Sequence, residues 1–319
     1  MNTMKKCMKI TDSVEKKNTC NFENTVAVIV LTYGNFDMLD TTLTSVLRQS
    51  CRPSEIIVSD DCSHKSFPSE VVSKFPCVKF HVCPYNLGTV AHMNYVAKFV
   101  SSPYIKFISS GDAFYDSNAL SDLLSFALKS KGIIVASQVI VCSEDLKREL
   151  YYFPGAYRGR AFRLKPDKLY SVLAASNIVG ACGTLFASNF FTNYGGFDED
   201  YFFLEDWPTW LRLTRQGFDL PMLNRVTCRY GLGGISSSKT NAFDSLPLRK
   251  DMIHCYNKEI LPYCHKLSKD ALRRVKYNYD YLCGMSAMDL WRKHFFYSLY
   301  TLIKKLAKRF LIWLCKIFL

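Results

Sequence analysis

The chain has 319 residues and a formal net charge of +13, from 41 basic against 28 acidic residues. Hydrophobic residues make up 49% and the mean hydropathy is −0.02, enough apolar material for a sizeable core, which excludes an intrinsically disordered chain. The 13 cysteines are an odd number, scattered singly with no CxxC pair, so they read as reduced thiols and exclude a disulfide framework or a Cys-rich zinc site.

Residues 1–24 are polar and charged, with no apolar stretch before a small-residue cleavage site, so a polar N-terminal extension and a cytoplasmic location are expected. Val26 to Leu31 is a continuous apolar run that predicts a strand buried on both faces. Met38 to Gln49 carries Leu39, Leu43, Val46 and Leu47 at helical spacing. Glu55–Ser59, Val78–Val82 and Tyr104–Ser109 predict three more strands, with a helix over Thr89–Val100 before the last of them. Asp116 or Ser117 is expected to cap a helix running to about Ser130, and Gly132–Val141 is again β-rich. Residues 142–235 are less regular apart from a helix over Asp206–Gln216, and the chain from Ser245 onward reads as helical and basic. Strands alternating with helix-length segments predict an α/β fold with a mainly parallel sheet, whose ligands bind beyond the carboxyl ends of the strands.

Three predicted strands end in residues suited to ligands: Thr32-Tyr33-Gly34-Asn35, Asp60-Asp61-Cys62-Ser63 and Ser110-Gly111-Asp112. Asn86-Leu87-Gly88 lies between them, with Asn94 in the helix that follows. Each alone is also what a turn or helix cap uses. Together on one rim they offer what a nucleoside diphosphate needs: an aromatic ring, acceptors for a base N–H, and a carboxylate for a divalent cation. Further on, Gly195-Gly196-Phe197-Asp198-Glu199 precedes Leu204-Glu205-Asp206-Trp207. Glu205 and Asp206 stand where a helix begins, which suits either a charge complementing the helix dipole or a general base for an acceptor hydroxyl.

The series VIVLTYGN, EIIVSDDCS, NLGTVAHMN, IKFISSGDAFYD, GGFDED and FLEDWPTWLRLTRQG, in that order over about residues 25–217, resembles the family 2 glycosyltransferases. The resemblance implies the GT-A fold, a Rossmann-like, mainly parallel central sheet flanked by helices, here with a C-terminal helical, basic and amphipathic extension. It implies that Thr32, Tyr33, Asp60, Asp61, Asn86, Gly88, Asn94, Gly111 and Asp112 bind the nucleotide-sugar donor, Tyr33 stacking on the base and Asp61 accepting its N–H. Asp112 matches the last carboxylate of the metal motif, so Mn²⁺ or Mg²⁺ held by Asp112 is the expected cofactor. Asp206 matches the catalytic base, with Glu205 beside it, in an inverting transfer to a glycan or lipid-linked acceptor. The chain departs from the pattern at Ser109 and Gly111, where relatives often carry aspartate, and at His92, where a basic Arg is often seen.

Gly180-Ala181-Cys182-Gly183-Thr184 suits either the acceptor side or close backbone packing, with Cys182 an inert thiol. Arg229, Tyr230 and Gly233-Gly234-Ile235-Ser236 are expected to close over the diphosphate. From Phe295 to Leu319 no acidic residue occurs, and a lysine-rich stripe opposes an apolar one, which predicts a helix lying on an anionic membrane, with docking on the protein's own core or a dimer contact as the alternative. A spanning helix would carry Lys304, Lys305, Lys308 and Arg309 near the bilayer centre at a cost of about 3 kcal/mol each. The expected division is therefore a polar extension over 1–24, a donor-binding and catalytic domain over 25–240, a helical region over 241–294 and a membrane-associating helix over 295–319. Neither a nucleic-acid recognition motif nor the basic glycine-rich loop of a sugar nucleotidyltransferase is present; a donor-binding, membrane-tethered protein without turnover is the alternative.

Overall fold

The structure is a computed structural model that describes residues 25–155, 159–234, 246–303 and 306–307. The N-terminal extension, Ile235 and Ser236, and most of the expected membrane helix lie outside the described residues. Strands β1 (Val26–Thr32), β2 (Glu55–Asp60), β3 (Lys79–Val82) and β4 (Tyr104–Ser109) form a parallel block in the order β3-β2-β1-β4. The apolar run of β1 sits at its centre, with Ala27 paired to Glu55 of β2 and Ile105 of β4. Helix α1 (Leu39–Leu47) covers one face by burying Leu39, Leu43 and Val46 at i, i+4 and i+7. Helix α2 (Ser69–Lys74) packs beside it through Val71.

Beyond β4 the sheet changes character. The short strand β5 (Ala113–Phe114) follows, then helix α3 (Ala119–Ser130), the central strand β6 (Ile134–Cys142) and the hairpin strand β7 (Glu149–Phe153). Strand β8 (Thr184–Ala187) joins β4 to β6 and runs antiparallel to both, while β9 (Met222–Gly231) lies parallel to β6 and antiparallel to β5. The sheet is therefore mixed: parallel throughout its first half, and antiparallel in its second half except for the β6–β9 pair. The antiparallel hairpin of β6 and β7 needs only a short connection, whereas the parallel β6–β9 pair is joined by the long stretch that includes the helices over Pro166–Ala175 and Asp206–Arg215. Strands β7 and β9 fall in the stretch that reads as irregular, because β7 is exposed and β9 only half-buried, which leaves no clean apolar pattern.

Helices α4 (Gly88–Ala97), α5 (Pro166–Ala175) and α6 (Asp206–Arg215) cover the other face. Trp207, Trp210, Leu211 and Leu213 of α6 are buried there, with Trp210 stacked 6.2 Å from Phe186 of β8. The chain after residue 245 joins the same core: Leu248, Met252 and Cys255 of α7 (Leu246–Cys255), with Val275 and Leu282 of α8 (Lys269–Leu282), pack with Trp207 and Tyr170. No helix among the described residues is long and apolar enough to cross a membrane.

Candidate active site

The ends of β1 and β2 meet in register, Thr32 against Asp60. Thr32 Oγ1 donates to the Asn35 carbonyl at 3.1 Å, which turns the chain outward so that Tyr33 is 61% exposed at the rim. Asp60 is fully buried, and its two oxygens accept the N–H groups of Gly34 and Ser63, each at 2.8 Å. It therefore fixes the two turns of the rim and has no exposed face for a donor. Asp61 is buried beside it and accepts from the N–H groups of Leu87 and Gly88, both at 2.8 Å. Burial raises its pKa against the pull of those two bonds. Each of its oxygens keeps a second lone pair for a base N–H.

Asn86 is exposed, and its Oδ1 accepts from Gly88 N–H at 3.0 Å. Gly88 has φ +76°, and a Cβ there would lie 2.7 Å from the ring of Phe202. Glycine at this position thus lets the loop before Asp206 close onto the donor turn. Asn94 departs from expectation. Its amide donates to the Phe197 carbonyl and to Glu199 Oε1, both at 2.9 Å, and its oxygen accepts Phe197 N–H at 3.0 Å. It pins the Gly-Gly-Phe-Asp-Glu turn instead of facing the rim. His92 is buried behind β2, with Nε2 2.8 Å from Ser59 Oγ, and burial pushes its pKa down to about 4, leaving the ring neutral at pH 7.

The metal motif is laid out differently from the sequence expectation. Gly111 has φ +108° and a Cβ direction open to solvent, met only by Asn35 Nδ2 at 4.0 Å. Asp112 is 3% exposed and turns inward: one oxygen accepts Gly231 N–H at 2.9 Å, and the other has no hydrogen-bond partner among the described residues. Burial pushes its pKa up to about 7, opposed by the Gly231 bond and the charge of Lys106. Lys106, fully buried, has its own pKa lowered by burial and donates to the carbonyls of Phe107 and Cys182. Asp112, Cys182 and Cys228 offer ligand atoms within 4.8 Å of one another, as do Asp61, Cys83 and His92. These sets do not fit Mg²⁺ or Mn²⁺, which take mostly oxygen ligands and keep several waters. In the first set the hydrogen bond with Cys228 and burial hold the Cys182 thiol protonated, and Asp112 is buried away from the water such an ion keeps.

Glu205 and Asp206 lie half-buried at the start of α6. Burial and then repulsion by Asp206 push Glu205 up to about 8, while burial moves Asp206 to about 6 against bonds from Asn177 and Trp207 N–H. Asn177 Nδ2 donates to Asp206 Oδ2 at 3.0 Å. The crowded pair therefore resists carrying two charges at once, and the bonds from Asn177 and Trp207 N–H favour the charge on Asp206. The carbonyl of Phe202 accepts from Val90 N–H at 3.3 Å, so the loop that carries the pair is joined to the donor turn.

Gly183 resolves the small-residue stretch: its Cβ would meet Val139 Cγ1 at 2.7 Å and the Ser137 carbonyl at 2.9 Å, so close packing explains it. Arg229 pairs with Glu149 at 2.9 Å and lies over the Tyr115 ring, engaged away from a diphosphate. Sequence reasoning missed Lys65, whose Nζ donates to the Gly34 carbonyl at 3.1 Å and which brings a cation to the rim beside Tyr33. A basic residue four positions after Asp61, in the loop leaving β2, was the available signal.

The chain belongs to glycosyl transferase family 2, whose model matches residues 27–191. Its fold, of the GT-A type, is similar to crystal structures of S. aureus TarS. The 1–349 fragment in complex with UDP superposes with a TM-score of 0.56 and 16% identity, over 80% of this chain and 72% of that one. The same fragment in complex with UDP-GlcNAc gives 0.58 and 15%, over 85% and 79%. No curated protein matches the chain in sequence.

Proposed function

We propose that the chain transfers a sugar from a nucleoside diphosphate donor, with uridine as its base, to a hydroxyl of a glycan or lipid-linked acceptor in surface polysaccharide synthesis, with inversion at the anomeric carbon. The observation that carries this reading is the split Glu205–Asp206 pair, set on a loop that closes against the Asp61-held donor turn. Tyr33 offers its exposed ring to the base and Asp61 its remaining lone pairs to the base N–H. The binding of UDP and UDP-GlcNAc by the similarly folded TarS supports a uridine donor here.

In this mechanism Asp206 takes the proton of the acceptor hydroxyl as its oxygen attacks the anomeric carbon, and the bond to the diphosphate oxygen breaks on the opposite face. Charge builds on the departing diphosphate, and Lys65 is the cation we place beside it. No step is routed through a metal held by Asp112. The acceptor is brought to a membrane surface at the cytoplasmic face by the stretch 295–319, whose described part exposes Phe295, Phe296, Ile303 and Leu306.

Asp206→Asn keeps the shape of the side chain and removes the base. We expect transfer to fall by about 10²–10⁴-fold with UDP affinity unchanged. Transfer at the wild-type rate in a radiolabelled-sugar assay would remove Asp206 from this role.

A further inference from the structure

The loop that carries the catalytic pair is held from a direction the family-matched region does not contain. Asp251 lies on α7, well after residue 191 where the family match ends. It is buried, and its Oδ2 accepts three successive backbone N–H groups: Phe202 at 3.0 Å, Phe203 at 2.6 Å and Leu204 at 3.1 Å. Three consecutive N–H groups converging on one point form an anion-binding concavity, and buried N–H groups left without an acceptor are costly. The loop's shape therefore depends on a carboxylate at this position. The residues after Leu204 are Glu205 and Asp206. On its other side the loop rests on the donor turn, through the Phe202 ring against Gly88 and the Phe202 carbonyl on Val90 N–H.

We propose that Asp251 is a positioning residue, the clamp by which the C-terminal helical region holds residues 202–204 so that Asp206 and Glu205 face the acceptor hydroxyl. The proposal rests on Asp206 being the base. It gives the C-terminal helices a part in the chemistry: they set the loop from below while the donor turn sets it from above. The charge of Asp251 also faces Glu205 and raises its pKa, alongside the larger effects of burial and Asp206. Around the pair, Asn177 bonds to Asp206 from the segment before β8, and the Cys255 thiol on α7, held neutral by burial, feels Asp206 and Asp251.

The test is Asp251→Asn in the full chain, with kinetics across pH, UDP calorimetry and amide hydrogen exchange of the segment around 202–204. We expect kcat to fall by about 10-fold while donor KM and UDP affinity stay within about 2-fold, since one misplaced catalytic group costs rate before it costs binding. Asp251 bears on the Glu205 carboxyl and not on Asp206, so the acidic limb of kcat should stay in place while exchange at 202–204 quickens. Wild-type kcat, or a fall in kcat with exchange at 202–204 unchanged, overturns the proposal. Should the asparagine variant fail to fold, Asp251→Glu decides. It keeps the charge but shifts it by one methylene, so a reduced kcat with a wild-type limb supports the clamp and an unchanged kcat rejects it. Asp206→Asn run in parallel separates the two readings: wild-type transfer there removes the base, whereas the exchange at 202–204 reports on the clamp alone.

Discussion

Among the acidic residues of the site, burial and bonding sort groups that look alike in the sequence. Asp60 and Asp61 are adjacent, yet Asp60 is fully buried between the turns at Gly34 and Ser63, whereas Asp61 holds the turn at Leu87 and Gly88 with a lone pair to spare on each oxygen. Asp112 faces Gly231 and away from solvent, and Asp206 alone combines partial exposure with a pKa near neutral. Because the Asp206 pKa is raised to about 6, the charged form proposed as the base is present above that pH and is lost as pH falls through it. We expect kcat to drop about 10-fold per unit below pH 6, read in a pH-rate profile at saturating donor. A flat profile down to pH 5 would show that no carboxylate of this pair takes the proton. The rim was legible in the sequence because strand-end residues are local. The inward turn of Asp112 was not, because it depends on Gly231, 119 residues away. Asn94 and Asp251 escaped for the same reason, their partners lying about 100 and about 50 residues distant.

Secondary-structure elements join the turn at Asn86–Gly88 to the loop before Asp206. Strand β1, helix α1 and the parallel block could be read from apolar periodicity, since both faces are covered and the pattern is strong. Strands β7 and β9 could not, because exposure on one side and the parallel pairing of β9 with β6 depend on tertiary contacts. The joint between α4 and the loop before α6 is the contact of Gly88 with Phe202. Gly88→Ala meets both a positive φ and a ring at 2.7 Å. We expect about 1–3 kcal/mol of lost stability, read by chemical denaturation, together with weaker UDP binding. An alanine variant with wild-type stability and affinity would show that this joint does not hold the donor turn.

Across the whole molecule, charge and apolar surface are distributed toward the C-terminus. The described part of the last segment leaves Phe296 84% exposed, with Trp291, Phe295, Tyr300, Ile303 and Leu306 also presented to solvent, and Arg292 and Lys293 beside them. The sequence continues with Lys308, Arg309 and the apolar run from Phe310 to Leu319. Such a surface fits an anionic bilayer, to which apolar burial and basic residues both contribute. Deleting residues from Phe295 onward should abolish co-sedimentation with vesicles containing phosphatidylglycerol and leave UDP binding intact. Unchanged sedimentation would contradict the membrane role proposed for this segment.

The proposed uridine-nucleotide site is built from Tyr33, Asp61 and the Asn86–Gly88 turn, with Asp112 turned away from it. Calorimetry of UDP binding to the full chain, once with Mn²⁺ and once with EDTA, tests it most directly. We expect saturable binding of UDP over ADP, with affinities in the two conditions within about 3-fold, a difference of under 1 kcal/mol. Binding that appears only with Mn²⁺ would contradict the inward assignment of Asp112, and no binding of UDP in either condition would contradict the site itself.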